Sequence, residues 1–218
     1  MITQDKIFAS EGDEWFKRNN YETGEEYQII NYLKSQGNFK PKKILDVGCS
    51  NGKKLNKILN LYNKETECFG IEPSKLAISD GKKKFPDINL CQGFSHDLSS
   101  FKEDYFDLVT MSFVWHWVDR KKLFLSASEL DRVLKNRGRL IILDFAPSFI
   151  CKTEYHHLPG QEVYTYKQPY WELFTASQIY SLVYLEEFEH NKKAELENRN
   201  LCKIAVLEKR IDNNYLLV

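Results

Sequence analysis

The residues best suited to chemistry lie in a glycine-containing turn near position 50. Residues 44–52 read ILDVGCSNG, an apolar run followed by small residues, and a helical pattern begins at Lys53. A strand that runs through such a turn into a helix lets a ligand approach the backbone amides of the helix N-terminus. Two classes of ligand use a turn of this kind: dinucleotides and S-adenosylmethionine.

Spacing and charge favour S-adenosylmethionine. The dinucleotide fingerprint GxGxxG, counted from Gly48, has Ser50 at its third position and Lys53 at its sixth, where glycines are needed. Asp46 lies at the end of the predicted strand, where its carboxylate would repel a pyrophosphate and attract an ammonium or a sulfonium. S-adenosylmethionine carries both of these cations and no phosphate.

A second carboxylate, Glu72, ends the next predicted strand, 20 residues beyond Gly52 (72 − 52). An acid at that place can accept hydrogen bonds from two ribose hydroxyls. The alternative is that Asp46 and Glu72 only cap neighbouring helices. Their occurrence together at matching strand ends favours the ligand interpretation.

The elements that must position these residues alternate between strand and helix. Strands are predicted at Lys43–Val47, Glu67–Ile71, Ile88–Cys91, Tyr105–Ser112 and Arg139–Phe145, and helices at Lys53–Tyr62, Ser74–Phe85 and Asp119–Asn136. Ser74 and Asp119 are expected to cap helix starts, and Gly138 is expected just past a helix end. This alternation predicts an α/β fold, a parallel sheet with helices on both faces.

The two ends of the chain depart from this alternation. Residues 5–37 are predicted to be helical, with Gly24 as an interruption, and residues 1–40 are expected to form an N-terminal helical cap. Residues 147–171 are too long and too aromatic for an ordinary loop, so they are expected to be a lid or acceptor-site insertion. Strands around Leu182–Phe188 and Cys202–Glu208 should close the chain as an antiparallel pair. The whole chain, 1–218, is expected to be a single domain.

The motifs resemble those of class I S-adenosylmethionine-dependent methyltransferases. ILDVGCSNG resembles their first motif, a hydrophobic run followed by D-x-G-x-G-x-G, with Ser50 in place of the middle glycine. FGIEPS resembles the second motif, with Glu72 as the ribose acid. Later segments resemble the regions of the third, fourth and fifth strands, so that the resemblance covers residues 40–145: CQGFSHDLSSF, YFDLVTMSFVWHWVD and LKNRGRLIILDF.

The resemblance implies a Rossmann-like, seven-stranded, mostly parallel sheet whose last strand is antiparallel, and S-adenosyl-L-methionine as cofactor. Phe94 and Ser95 would flank the adenine, although the family usually has a polar or acidic residue where Phe94 stands. The cofactor residues implied in this chain are Asp46, Gly48, Cys49, Ser50, Gly52, Glu72, Pro73, Phe94, Ser95 and Ser112.

The N-terminal segment EGDEWFKRN resembles one that folds over the cofactor in some small-molecule methyltransferases. Trp15 could cover the sulfonium with its aromatic face, and Arg18 could pair with the methionyl carboxylate. The alternative is an ordinary amphipathic helix packed on the sheet, with Arg18 in solvent.

Three histidines are candidates for removing a proton from the methyl acceptor. His116 follows the fourth strand, at the sheet edge where ligands bind, and its ordinary pKa lies near neutrality. It could equally be a framework residue between two tryptophans. His156 and His157 lie in the predicted insertion and could take the proton there, or lie on a solvent-exposed loop.

Composition narrows the other possibilities. Thirty-one basic residues balance 31 acidic ones, which argues against a nucleic-acid partner. No signal pattern and no membrane-length apolar run are present in the sequence, so a cytoplasmic protein without a membrane partner is expected. The five widely spaced cysteines indicate free thiols, and no metal site is predicted.

The predicted function is methylation of oxygen, nitrogen or carbon in a small molecule. One alternative is a non-catalytic protein of the same fold that binds the cofactor or a partner. A nicotinamide-dependent dehydrogenase is disfavoured by Lys53 and Asp46. The acceptor and the oligomeric state do not follow from the sequence.

Overall fold

Seven strands form one mixed sheet in the computed structural model, which describes residues 4–19, 26–62, 65–189, 200–211 and 215. The strands of this sheet are β1 Lys43–Val47, β2 Glu67–Glu72, β3 Ile88–Gln92, β4 Phe106–Ser112, β5 Leu134–Phe145, β8 Tyr180–Glu189 and β9 Leu201–Lys209. Two further strands, β6 Cys151–Glu154 and β7 Tyr164–Lys167, pair separately. The helices are α1 Gln4–Arg18, α2 Glu26–Ser35, α3 Lys53–Leu59, α4 Lys75–Lys84, α5 Leu123–Val133 and α6 Glu172–Thr175.

The strand order is β3-β2-β1-β4-β5-β9-β8. The first five strands are parallel, and β9 runs antiparallel to both β5 and β8. The predicted sheet and its antiparallel closing pair are therefore confirmed. The order reverses between β1 and β4, and open α/β sheets bind ligands beyond the carboxyl ends of the strands at such a point.

Both faces of the sheet are buried under helices. Successive residues of each central strand point to opposite faces, so each strand contributes to both buried clusters. Leu45 of β1 packs in a cluster with residues of α5 and α6, whereas Ile44 packs in a second cluster with residues of α2, α3 and α4. Fully buried strands of this kind explain the nearly continuous apolar runs in β1, β4 and β5.

The predicted helix Asp119–Asn136 is confirmed at its start and wrong at its end. Asp119 caps a 3₁₀ turn, Arg120–Lys122, by accepting a 2.9 Å hydrogen bond from the Lys121 amide, and α5 follows directly at Leu123. The helix ends at Val133, because Leu134 already pairs with Phe106 of β4.

Gly138 was also wrongly placed, since it lies inside β5 rather than after a helix. Arg137 before it adopts a left-handed φ of 67°, and the pairing of β5 with β4 shifts register there. A Cβ atom at Gly138 would lie 2.8 Å from the Lys135 carbonyl oxygen, so the irregular strand requires a residue without a side chain.

The segment between β5 and α6 contains a hairpin that the sequence analysis did not predict. Strands β6 and β7 pair in it antiparallel, separately from the main sheet. Tyr170, which follows β7, is fully buried and stacks on Trp115 with ring centroids 5.4 Å apart. Part of the predicted insertion is therefore core.

Two features named in the sequence lie outside the described residues: Gly24 and the link between β8 and β9. All five cysteines are free thiols, and Cys49, Cys68 and Cys202 are buried. Among the described helices, none is long and apolar enough to cross a bilayer.

Candidate active site

The turn after β1 is held in an unusual backbone conformation. Gly48, Ser50 and Gly52 all have left-handed φ angles, of 73°, 51° and 81°. The amides of Gly48 and Cys49 both donate to the Ile71 carbonyl oxygen of β2, at 2.8 and 3.1 Å. A Cβ atom at Gly48 would lie 2.1 Å from Val114 Cγ2, so only glycine fits there.

Asp46 lies beneath this turn and is completely buried. Its Oδ1 atom accepts a 2.7 Å hydrogen bond from the Thr110 hydroxyl and lies 2.8 Å from Lys54 Nζ. Its Oδ2 atom is also buried, yet it has no hydrogen-bond partner among the described residues. A buried carboxylate oxygen without a donor is costly, so a ligand cation or N–H fits this position.

Glu72 closes the other side of the turn. Its Oε2 atom accepts from the Ser50 amide at 2.9 Å, and its Oε1 atom accepts from the Ser74 amide at 3.0 Å. Burial raises the pKa of Glu72 to about 7, although the two backbone hydrogen bonds oppose this change. Each oxygen keeps acceptor capacity, so the carboxylate can also receive two ribose hydroxyls.

Helix α1 lies across the carboxyl edge of the sheet. Asp13 accepts from the Ser74 hydroxyl at 2.6 Å and from the Leu76 amide at 3.0 Å, so that it caps α4 beside Glu72. At the other end, Phe8 packs on Trp117 after β4, with ring centroids 4.7 Å apart. These contacts join the loops after β2 and β4 and place α1 above the ends of the strands between them.

Arg18 has partners other than those that the sequence suggested. Its Nη2 atom pairs with Glu11 and donates to the Tyr155 hydroxyl at 2.9 Å, and Tyr155 donates in turn to Glu11 at 2.7 Å. The three side chains fasten α1 to the β6–β7 hairpin. Trp15 lies on the same helix and is 37% exposed.

The remaining predicted cofactor residues follow β2, β3 and β4. Phe94 is half-buried and stacks on His96 at 5.5 Å, whereas the Ser95 hydroxyl points inward to Ser126 at 2.9 Å. The Pro73 carbonyl oxygen accepts from Gln92 at 2.9 Å. Ser112 Oγ accepts from Lys54 Nζ at 2.8 Å.

His116 has the geometry of an oriented base. It is 4% exposed, and its Nδ1 atom lies 2.6 Å from Asp144 Oδ1. A carboxylate on Nδ1 fixes the tautomer in which Nε2 is unprotonated and can accept a proton. The rings of Trp117 and Phe145 lie 5.0 Å from the imidazole.

Asp144 was missed by the sequence analysis. It is an acid at the end of an apolar run, as Asp46 is, and that likeness was the available signal. Its position at the end of β5, next to β4, brings it to His116.

His156 and His157 lie together at the tip of the hairpin, with ring centroids 4.0 Å apart. Both side chains are exposed. Partial desolvation and the neighbouring His156 lower the pKa of His157. Within the described part of the chain, neither imidazole is hydrogen-bonded to a carboxylate as His116 is to Asp144.

The strand order and the acidic turn define a class of protein, the Rossmann-like α/β fold of class I S-adenosylmethionine-dependent methyltransferases. Residues 45–142 match a family model described as a methyltransferase domain. This segment therefore belongs to the methyltransferase-domain family, and the predicted resemblance is confirmed.

One curated relative is demethylmenaquinone methyltransferase of Thermotoga maritima, 30% identical over 108 residues, which are 49% of this chain and 45% of the relative. The chain spans about half the length of the curated relatives it matches.

Solved structures share the fold over almost the entire chain. One is the Burkholderia thailandensis 1,6-didemethyltoxoflavin-N1-methyltransferase with bound 1,6-didemethyltoxoflavin and S-adenosylhomocysteine. Its TM-score is 0.74 and its identity 11%, over 96% of this chain and 92% of that one. Another is the N-methyltransferase NodS of Bradyrhizobium japonicum in complex with S-adenosylhomocysteine. Its TM-score is 0.63 and its identity 12%, over 94% and 96% of the two chains.

Proposed function

We propose that this chain transfers the methyl group of S-adenosylmethionine to a small-molecule acceptor. The observation that carries the proposal is the pair of carboxylates around the left-handed turn. Asp46 has a buried oxygen that lacks a partner among the described residues, and each oxygen of Glu72 accepts from one backbone amide and can accept a further hydrogen bond. Asp46 suits the ammonium group at the amino-acid end of the cofactor, and Glu72 suits the ribose diol.

When bound, S-adenosylmethionine supplies an activated methyl group on a sulfonium, so the protein needs no nucleophile of its own. The residues of this chain have to orient the acceptor, exclude water and take up the proton that the acceptor loses. Helix α1 and the β6–β7 hairpin cover the site through the bonds of Arg18, Glu11 and Tyr155 and thereby exclude water.

His116 is the proposed general base. Its Nδ1 atom is engaged by Asp144, so Nε2 is the atom that receives a proton from an acceptor hydroxyl or amine. Asp144 acts as a positioning residue that stabilises the imidazolium once it forms. The hairpin histidines lack such a partner among the described residues and are given no part in proton removal.

A small-molecule acceptor is supported by a solved structure that shares the fold over 96% of this chain and is named as 1,6-didemethyltoxoflavin-N1-methyltransferase. The balance of 31 basic and 31 acidic residues gives no general attraction to a nucleic-acid backbone.

The test is methyl transfer to a panel of small hydroxyl, amine and carbon acceptors, read by mass spectrometry. With an accepted substrate, His116→Asn should lower kcat by about 10²–10⁴-fold while S-adenosylhomocysteine affinity stays unchanged. Asp144→Asn should also lower kcat with S-adenosylhomocysteine affinity unchanged, because the imidazolium that forms in the reaction loses its carboxylate partner. Cofactor binding without any turnover would favour the non-catalytic alternative, and unchanged kcat in His116→Asn would exclude this base.

A further inference from the structure

Lys54 is a mostly buried lysine at the beginning of α3, a place where a positive charge does not stabilise the helix. It lies in the first turn of α3, where the helix macrodipole repels a cation, and Lys53 stands beside it. Nevertheless its side chain is only 13% exposed. Burying an ammonium is unfavourable unless it is paired, so its partners explain why it lies there.

Those partners are the two strand ends at the centre of the candidate site. Lys54 Nζ lies 2.8 Å from Asp46 Oδ1 at the end of β1 and 2.8 Å from Ser112 Oγ at the end of β4. A lysine ammonium has three N–H donors, and these two contacts leave one for a further acceptor. Asp46 Oδ2, on the other side of the same ion pair, lacks a donor within the described part of the chain.

We propose that Lys54 binds the carboxylate of the amino-acid end of S-adenosylmethionine, while Asp46 Oδ2 binds its ammonium. This inference rests on the proposed function. The open donor and the open acceptor belong to neighbouring side chains of opposite charge, and they match a zwitterion. With the ligand bound, the ligand carboxylate faces the Lys54 ammonium and the ligand ammonium faces the Asp46 carboxylate. The two protein charges cancel, and the two ligand charges cancel, so this group of charges is neutral with or without the ligand.

Lys54 therefore takes the role that the sequence suggested for Arg18. The Arg18 guanidinium is bound to Glu11 and Tyr155. Recognition of the carboxylate is thus supplied by α3, the helix that follows the turn, rather than by α1, the helix that covers the site.

The experiment is a calorimetric titration of two ligands, S-adenosylhomocysteine and its decarboxylated analogue, into wild-type protein and Lys54→Met. Methionine keeps the length of the side chain and removes the charge. Affinity for S-adenosylhomocysteine should fall by about 10- to 100-fold, the range of a hydrogen bond between charged groups. Affinity for the decarboxylated analogue should stay the same. Lys57→Met, one turn further along α3, is the matched control and should change neither affinity.

Lys54→Met also leaves Asp46 buried without a counter-ion, which can prevent folding. In that case the double variant Asp46→Asn/Lys54→Met, which removes both charges of this buried pair, is titrated with the same two ligands. Compared with wild-type protein, it should lose more affinity for S-adenosylhomocysteine than for the decarboxylated analogue. Equal losses for both ligands, or no loss for either, would overturn the inference. Failure of wild-type protein to bind S-adenosylhomocysteine would instead overturn the proposed function beneath it.

Discussion

Replacing Glu72 with glutamine tests the ribose side of the proposed cofactor site. Glutamine has nearly the same size, but an NH₂ group replaces one of the oxygens that accept from the Ser50 and Ser74 amides. The variant loses the charge that strengthens hydrogen bonds from the ribose diol. S-adenosylhomocysteine affinity should therefore fall by about 1.5–3 kcal/mol, or roughly 10- to 150-fold.

The pH dependence of binding gives a sharper form of the same test. Burial raises the pKa of Glu72 to about 7, and the ionised carboxylate is the better acceptor for two hydroxyl donors. Wild-type affinity should therefore decrease below pH 7, by up to about tenfold for each pH unit. In Glu72→Gln this dependence should be absent, because the group that titrates has been removed.

The raised pKa of Glu72 also determines how the free energy of unfolding of the ligand-free protein changes with pH. The folded state binds the Glu72 proton more tightly than the unfolded chain does. The free energy of unfolding should therefore fall as pH rises from the ordinary carboxyl range through about 7. Glu72→Gln should not show this decrease. The altered hydrogen bonds at the turn change the free energy of unfolding of Glu72→Gln by an amount that does not depend on pH.

The assay is calorimetric titration and thermal unfolding of both proteins from about pH 4.5 to about pH 8, which spans the ordinary carboxyl range and the raised pKa of Glu72. Glu67→Gln, at the exposed beginning of the same strand, is the matched control and should behave as wild type. Equal affinity and equal pH dependence in wild type and Glu72→Gln would refute Glu72 as the ribose acceptor.

Three further predictions concern the cofactor class, the hairpin and the helix that covers the site. S-adenosylhomocysteine at 100 times its Kd should add about 2.7 kcal/mol to the free energy of unfolding and NADH should add nothing, whereas equal shifts would contradict the cofactor assignment. The double variant His156→Ala/His157→Ala should keep both cofactor affinity and kcat/KM, because both side chains are exposed; a loss of about 10²–10⁴-fold in turnover would move the general base to the hairpin. Tyr155→Phe removes the 2.7 Å hydrogen bond to buried Glu11 and should lower the free energy of unfolding by about 1.5–3 kcal/mol, measured by urea denaturation; an unchanged value would mean that this contact does not fasten α1.

The sheet was predictable because its signals are local. Buried parallel strands require continuous apolar runs, and the turn after β1 requires glycine at Gly48, so both can be recognised without knowing any neighbour. The errors near Gly138 arose because Phe106, about 30 residues earlier in the chain (134 − 106 = 28), pairs with Leu134 and draws the chain into the sheet. Local helix periodicity carries no information on that pairing.

The sequence by itself determined the fold class, the cofactor family and the two acids, Asp46 and Glu72, at the ends of adjacent strands. Only the tertiary structure decided which charged side chains meet. It joined His116 to Asp144, 28 residues away, and Arg18 to Tyr155, 137 residues away. It also turned Lys54 inward to Asp46 and Ser112. Such partners depend on strand order and side-chain direction, which no spacing of residue types along the chain encodes, whereas strands and turns follow from the residues that form them.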